Sequence, residues 1–146
     1  MRYRVPAALV QETFDFLRKC GGGRRECQVL WLSTWLDPSA ICKVIHPRHC
    51  AHHSGFELDS HWINEFWLDL ARTHQGIRVQ IHTHSHEAFH SAIDDDFPII
   101  HSVGFLSLVI PNFACGPVGF ERAYLAEIAG DGRWIEVEPE SRLEVI

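Results

Sequence analysis

The sequence predicts an α+β, or mixed α/β, fold that forms a single domain over residues 1–146. Two segments show the apolar periodicity of amphipathic helices, at 6–20 and 59–73. Several others are rich in β-branched and aromatic residues and are bounded by turn residues. The length of 146 residues, with 46% apolar and 22% charged residues, is typical of one soluble globular domain with helices packed on a sheet.

The first helix is predicted over 6–20, because Val10, Phe14 and Leu17 recur on one face and glycines at 21–23 follow it. Residues 26–36 are apolar almost without interruption, which favours a strand buried on both faces. A turn then leads into a second strand over 40–47, expected to be antiparallel to the first, and into a polar loop at about 47–57.

The second helix is predicted over 59–73, with Asp59 or Ser60 as its N-cap and Gly76 as its terminator. Large apolar residues recur every four positions along it: Trp62, Phe66 and Leu70. Residues 77–84 alternate between apolar and polar, as in a strand. The remaining predicted elements are a short helix at 91–100 and strands at 105–111, 119–130 and 133–139, the last two joined by a hairpin turn.

Composition excludes several classes of function. The net charge of −6 argues against a general nucleic-acid binder, which usually has a basic face. The N-terminal segment has no apolar core of a signal peptide, and no apolar run is long enough to cross a bilayer. The five cysteines are odd in number and scattered, which predicts reduced thiols and a cytoplasmic protein.

Histidine is unusually frequent, with eleven residues, and four of them lie in the stretch 81–96. His82 and His84 are two positions apart on the predicted strand, so both imidazoles leave the same face. Asp94 follows ten residues later and can fold back to complete a three-ligand site. Two imidazoles and one carboxylate are a typical ligand set of catalytic zinc, with the fourth position left for water.

Simpler interpretations exist for each part of this pattern. A His-x-His pair arises by chance in a histidine-rich chain, and Ser91 with Asp94 also forms a variant of the helix capping box. The segment 42–53 contains two cysteines and four histidines, but its spacing matches no common structural zinc pattern. That segment is either an exposed loop at the rim of the site or a second metal site.

The stretch "HTHSHEAFHSAID" (82–94) resembles the metal-binding motif of the JAB/MPN (JAMM) metallopeptidases, His-x-His followed by Ser-x-x-Asp. The spacer between the two halves is one residue shorter than the family usually has, and Ser85 stands where proline is common. The resemblance implies one Zn²⁺ per chain, with His82, His84 and Asp94 as ligands. It also implies that Ser91 lies beside the developing oxyanion.

The family also has a glutamate at the start of its first core strand, and Glu26 occupies that position here. Val29 and Ser33 replace the small residues that usually follow it. The resemblance implies that Glu26 is the general base. The alternative is a solvated carboxylate at a strand end, paired with Arg24 or Arg25.

The resemblance further implies a curved, mostly antiparallel sheet flanked by helices, as in a small bacterial deubiquitinase-like member. The implied activity is hydrolysis of amide or isopeptide bonds at the C-terminal tail of a ubiquitin-like protein. The implied setting is a bacterial ubiquitin-like conjugation system, with activating and conjugating enzymes as partners and antiphage defence as one role.

Two other classes of metal-dependent hydrolase do not fit this pattern. A metallo-β-lactamase site needs His-x-His-x-Asp-His, whereas positions 86 and 87 are His and Glu. Amidohydrolases place His-x-His in a barrel of about 250 residues, far longer than this chain. The remaining alternatives are a non-catalytic MPN-type scaffold and a metal-binding interaction module.

Overall fold

The computed structural model describes residues 1–52, 55–96 and 98–146. The helices are α1 (Ala7–Gly21), α2 (Ser60–Thr73), α3 (Ala92–Asp96) and α4 (Pro139–Arg142), with a 3-10 turn at Asn112–Ala114. The strands are β1 (Tyr3–Val5), β2 (Gln28–Thr34), β3 (Lys43–Ile45), β4 (His49–His52), β5 (Gly55–Leu58), β6 (Gln75–Thr83), β7 (Leu106–Ile110), β8 (Tyr124–Ile128), β9 (Trp134–Val137) and β10 (Leu143–Val145). The predicted α+β class is confirmed.

Six strands form the main sheet, in the order β3-β2-β6-β7-β8-β9. Its pairings are antiparallel except for β6 with β7, which is parallel. A parallel pair requires a crossover connection, because the chain must return to the starting edge before the next strand begins. This crossover, residues 84–105, contains α3 and the second half of the histidine-rich stretch.

The sheet is buried on both faces, which explains the apolar run in β2. Val29 and Trp31 point into a cluster that packs against α1, whereas Leu30 and Leu32 point into a second cluster that packs against α2. All four side chains are almost completely buried. Because successive residues of a strand face opposite sides, only a sequence that is apolar at every position satisfies both clusters.

Helices α1 and α2 agree closely with their predictions, whereas α3 ends at Asp96 and not near residue 100. One predicted terminator is also wrong. Gly22 ends α1 with a left-handed backbone, and the Asp59 carboxylate caps α2 by accepting a hydrogen bond from the Trp62 amide. Residue His74, not Gly76, forms the left-handed C-cap of α2, with φ of 53°. The His74 ring stacks on Trp35 at 4.6 Å, which helps to hold this less favourable backbone in place.

The short strands β1, β4, β5 and β10, the helix α4 and the 3-10 turn at Asn112–Ala114 were not predicted. The polar segment expected to be a loop forms the antiparallel hairpin of β4 and β5, although residues 53 and 54 of that segment lie outside the described part. Parallel pairing of β1 with β10 joins the two ends of the chain. Both involve strands of three or four residues whose pairing depends on distant segments, so local sequence gives little indication of them.

The expectation of five reduced cysteines is also corrected, because the structure joins Cys20 and Cys27 as a disulfide. Cys20 lies at the end of α1 and Cys27 just before β2, so the turn between the two elements brings the sulfurs together. The other three cysteines are free and exposed. Among the described residues, no helix has the length and apolar character needed to cross a bilayer.

We expect Thr13→Val to lower the free energy of unfolding by about 1–3 kcal/mol, because it leaves a buried donor without its acceptor. The Trp31 indole N–H donates to the Thr13 hydroxyl at 2.8 Å, and both side chains are buried. Urea unfolding followed by tryptophan fluorescence measures the change.

Thr73→Val is the matched control. The hydroxyls of Thr13 and Thr73 both donate to the carbonyl four residues earlier, at 2.8 Å, but Thr73 is exposed. Its replacement should change stability by no more than about 0.5 kcal/mol. Equal losses in the two variants would contradict the role assigned to the buried Trp31–Thr13 bond.

Candidate metal centre

The end of β6 positions two histidines. His82 pairs with Gln28 of β2 on one side and with Val109 of β7 on the other, and only 2% of its surface is exposed. His84 lies just beyond the strand, where its amide donates to the Ile110 carbonyl at 3.0 Å. The two imidazoles leave the same face, as predicted, with ring centroids 5.2 Å apart.

Asp94 comes to these histidines from α3, at the far end of the loop. Its Oδ1 lies 3.2 Å from His82 Nε2, and its Oδ2 lies 3.2 Å from His84 Nε2. Ligand atoms from the three residues all lie within 4.8 Å of one another. The predicted convergence of the two imidazoles and this carboxylate is therefore present.

Ser91 and Asp94 form a reciprocal capping box at the start of α3. The Asp94 amide donates to Ser91 Oγ at 3.1 Å, and the Ser91 amide donates to Asp94 Oδ2 at 2.8 Å. The capping interpretation and the metal interpretation are thus compatible, since the same carboxylate serves both. Ser91 Oγ accepts one hydrogen bond here, which leaves its own proton to donate into the cavity that it lines.

The protonation states suit a metal ligand set. Burial lowers the pKa of His82, and the neighbouring Asp94 offsets this only in part. Burial alone would raise the pKa of Asp94, but hydrogen bonds from His82 and His84 outweigh it and hold that pKa well below its usual range. A neutral imidazole and an ionised carboxylate are the forms that coordinate a cation.

The centre opens into a cavity of about 1030 Å³ that Glu26 and Ser91 also line. Glu26 is half-buried and lies two residues before Gln28, the residue that pairs with His82. The Cys27 carbonyl accepts a hydrogen bond from the Thr83 amide, which continues the antiparallel register beyond the Gln28–His82 pair. The next pair in this register places Glu26 opposite His84. All five predicted site residues therefore border one cavity.

Gln28 is a residue of this cavity that sequence reasoning missed. It is 3% exposed, and its Oε1 has no hydrogen-bond partner among the described residues. A buried, unsatisfied amide oxygen is costly and is often found where a ligand or water binds. The sequence did contain one signal for Gln28, namely an amide side chain at the start of an apolar strand and two residues after an acid.

The side chain of His90 is buried, although the residue lies in the polar loop of the histidine-rich stretch. Only 3% of its side chain is exposed; Nδ1 lies 2.5 Å from Asp95 Oδ1, and Nε2 lies 3.1 Å from Ser107 Oγ. Gln80 donates to the same Ser107 hydroxyl at 3.0 Å. This network, in which the side chains of His90, Ser107 and Gln80 are buried, ties the segment that contains Ser91 and Asp94 to the central strands β6 and β7. His86, in contrast, is exposed and lines the cavity.

A strained turn supports the loop after His84. Asn112, Phe113 and Ala114 all have positive φ, between 51° and 60°. Such a backbone costs on the order of 1 kcal/mol for each residue with a side chain. The Phe113 amide donates to the His84 carbonyl at 2.8 Å, and the Arg18 guanidinium donates to the Ala114 carbonyl at 2.6 Å. No role was predicted for Asn112, whose amide donates to the His86 carbonyl.

The donor set fits a catalytic zinc ion. Two imidazole nitrogens and one carboxylate oxygen meet in a largely buried position that opens to a cavity on one side. Three such protein ligands with one open position are typical of hydrolytic zinc sites. Asp95 and Asp96, the carboxylates next to Asp94 in the chain, are not part of this cluster.

The chain is similar to a protein named "Probable metalloprotease y4jG" from Sinorhizobium fredii (strain NBRC 101917 / NGR234). The two are 28% identical over 141 residues, which is 91% of this chain and 85% of that protein. No protein-family profile matches the chain.

Two solved structures share the fold over 99% of this chain. One is the solution structure of protein DSY2949 from Desulfitobacterium hafniense, with a TM-score of 0.70, 14% identity and 92% of that chain covered. The other is AF2198, a JAB1/MPN domain protein from Archaeoglobus fulgidus, with a TM-score of 0.56, 11% identity and 98% of that chain covered. The likeness to AF2198 confirms the predicted JAB/MPN fold.

We expect His90→Phe to weaken zinc binding by about 10-fold, because outer partners of a metal site typically contribute 10- to 100-fold in affinity. The phenyl ring keeps the packing against Trp134, but it loses the hydrogen bonds that hold the segment containing Asp94. Competition with a chromophoric chelator measures the affinity.

His86→Phe is the control, since its side chain is exposed and only its backbone supports the loop. It should leave zinc affinity unchanged within a factor of about two. Unchanged affinity in His90→Phe would remove the positioning role assigned to His90.

Proposed function

We propose that this protein is a zinc-dependent metallopeptidase that hydrolyses amide or isopeptide bonds. The central observation is the convergence of His82, His84 and Asp94 in a cavity that Glu26 and Ser91 also line. The JAB1/MPN fold and the name of the relative from Sinorhizobium fredii support the same activity.

The roles of the residues follow from their positions. A zinc ion held by His82, His84 and Asp94 would activate a water molecule and polarise the scissile carbonyl. Glu26, at the wall of the same cavity, would accept the proton of the attacking water and pass it to the leaving amine. The Ser91 hydroxyl would donate a hydrogen bond to the oxyanion, and its own acceptor bond from the Asp94 amide fixes its position.

The proposed substrate is the C-terminal tail of a ubiquitin-like protein, free or conjugated. A groove of about 650 Å³ adjoins the main cavity and shares His86 and Glu87 with it, which leaves room for an extended chain. Residues Gly55, Glu57 and Leu58 of β5 line the cavity. Within the described residues β5 pairs only with β4, and the tail would add as a strand along its unpaired edge.

The proposed setting is the cytoplasm of a bacterium, in a ubiquitin-like conjugation system with activating and conjugating enzymes, and antiphage defence is one role for such a system.

The alternatives are a non-catalytic scaffold and a metal-binding module. One equivalent of zinc at this centre together with zinc-dependent cleavage of a ubiquitin-like fusion supports the peptidase. Zinc at this centre without cleavage favours the binding module, and its absence there favours the scaffold.

Glu26→Gln should retain zinc and lose cleavage, because the amide keeps the shape of the side chain but cannot accept the proton. His82→Ala should lose both. The measurements are zinc content by elemental analysis and turnover of a ubiquitin-like protein with a C-terminal extension.

Glu65→Gln, at an exposed position of α2, is the matched control and should retain both properties. A Glu26→Gln variant that still cleaves would remove the general-base assignment. A His82→Ala variant that keeps full activity would remove the metal centre from the mechanism.

Ser91→Ala should lower kcat by about 10²-fold with little change in KM, since an oxyanion donor acts mainly in the transition state. Ser91→Thr retains a hydroxyl and should recover most of that loss. Steady-state kinetics on the same fusion substrate measure both variants.

Ser91→Ala also removes a helix cap, so a second cap variant separates stability from catalysis. Asp59→Ala removes the cap of α2 and should cost about 1 kcal/mol of stability without lowering kcat. If Asp59→Ala lowered kcat as much as Ser91→Ala, the oxyanion role of Ser91 would be lost.

A further inference from the structure

A second group of metal-ligating side chains lies behind the candidate centre. Cys20 at the end of α1, Cys27 just before β2 and His49 at the start of β4 place their ligand atoms within 4.8 Å of one another. His49 Nε2 is 3.4 Å from Cys20 Sγ. Cys27 is completely buried, and Cys20 and His49 are partly buried.

The imidazole of His49 is oriented in the manner of a metal ligand. Its Nδ1 lies 2.8 Å from the Pro47 carbonyl, which can only accept, so Nδ1 carries the proton. Nε2 therefore has its lone pair, and it is directed at Cys20 Sγ, with Cys27 Sγ within 4.8 Å. Metal-binding histidines usually donate their other N–H to a carbonyl or carboxylate in this way. The His46 ring packs edge-on to His49 at 5.0 Å and restricts its rotation further.

We propose that in the reduced protein Cys20, Cys27 and His49 bind a thiophilic divalent cation such as Zn²⁺. Two thiolates and a neutral imidazole supply two negative charges, which balance the charge of the ion. The two thiols release their protons on binding, and water completes the tetrahedral coordination. The proposed site is independent of the His82–His84–Asp94 centre and does not depend on the activity proposed above.

The disulfide and the metal site use the same two sulfur atoms in different redox states. A disulfide between Cys20 and Cys27 has no need of an imidazole nitrogen directed at it, whereas a thiolate metal site does. The bound metal would cross-link three separate elements: α1, β2 and the β4–β5 hairpin. The Cys27 amide also donates to Thr83 Oγ1 at 3.0 Å, so the site lies against the strand that ends in His82 and His84.

The test uses the full chain, reduced with tris(2-carboxyethyl)phosphine, freed of metal and titrated with Co²⁺. Cobalt bound to thiolates absorbs in the near ultraviolet through sulfur-to-metal charge transfer. The other centre contains no sulfur ligand, so this band reports only on the proposed site. We expect the band in the wild type, its loss in Cys27→Ser, and a marked weakening of cobalt affinity in His49→Gln.

Two controls separate the sites. Cys42→Ser, at an exposed free cysteine, should keep the band. His82→Ala should also keep it while losing metal at the other centre, so failure of the proposed peptidase activity leaves this test intact.

If the wild type gives no band, or keeps Cys20 and Cys27 joined under reduction, the proposal is wrong. A band that persists in Cys27→Ser would overturn it as well, and His49→Gln decides the matter if the serine variant does not fold.

Discussion

The pairing of β6 on both of its edges is the constraint on which the candidate centre depends. Antiparallel pairing with β2 brings Glu26 and Gln28 to the level of the two histidines. Parallel pairing with β7 forces the chain into a crossover, and that crossover returns Asp94 to the end of β6. A strand at the sheet edge would lack one of these two neighbours, and with it either the pairing that positions Glu26 and Gln28 or the crossover that returns Asp94.

Burial gives this arrangement its chemical character. His82 and His84 lie where little water reaches, and removing a carboxylate and two imidazoles from water costs free energy unless they find partners. In the described structure Asp94 serves as partner to both rings. The neighbouring side chains of His90, Ser107 and Gln80 are also polar, and hydrogen bonds join them to one another. Such buried polar networks make a site rigid when every member is satisfied.

Local and long-range interactions meet at Ser91 and Asp94. As a capping box the pair is specified by sequence alone, because both hydrogen bonds join residues three apart. The contact of the same carboxylate with His82 and His84 depends on the β6–β7 crossover. The capping hydrogen bonds and the contacts of Asp94 with the two imidazoles are therefore both present, at different levels of organisation.

Periodicity and capping within the sequence determined α1, α2 and the central strands, since their signals are contained within single segments. The spacing of His82, His84, Ser91 and Asp94 likewise indicated the candidate metal centre. Only the tertiary structure decided that His90 is buried, that residues 112–114 form a left-handed turn and that His49 meets Cys20 and Cys27. Each of these depends on contacts between residues distant in the chain, which local propensity and spacing do not encode.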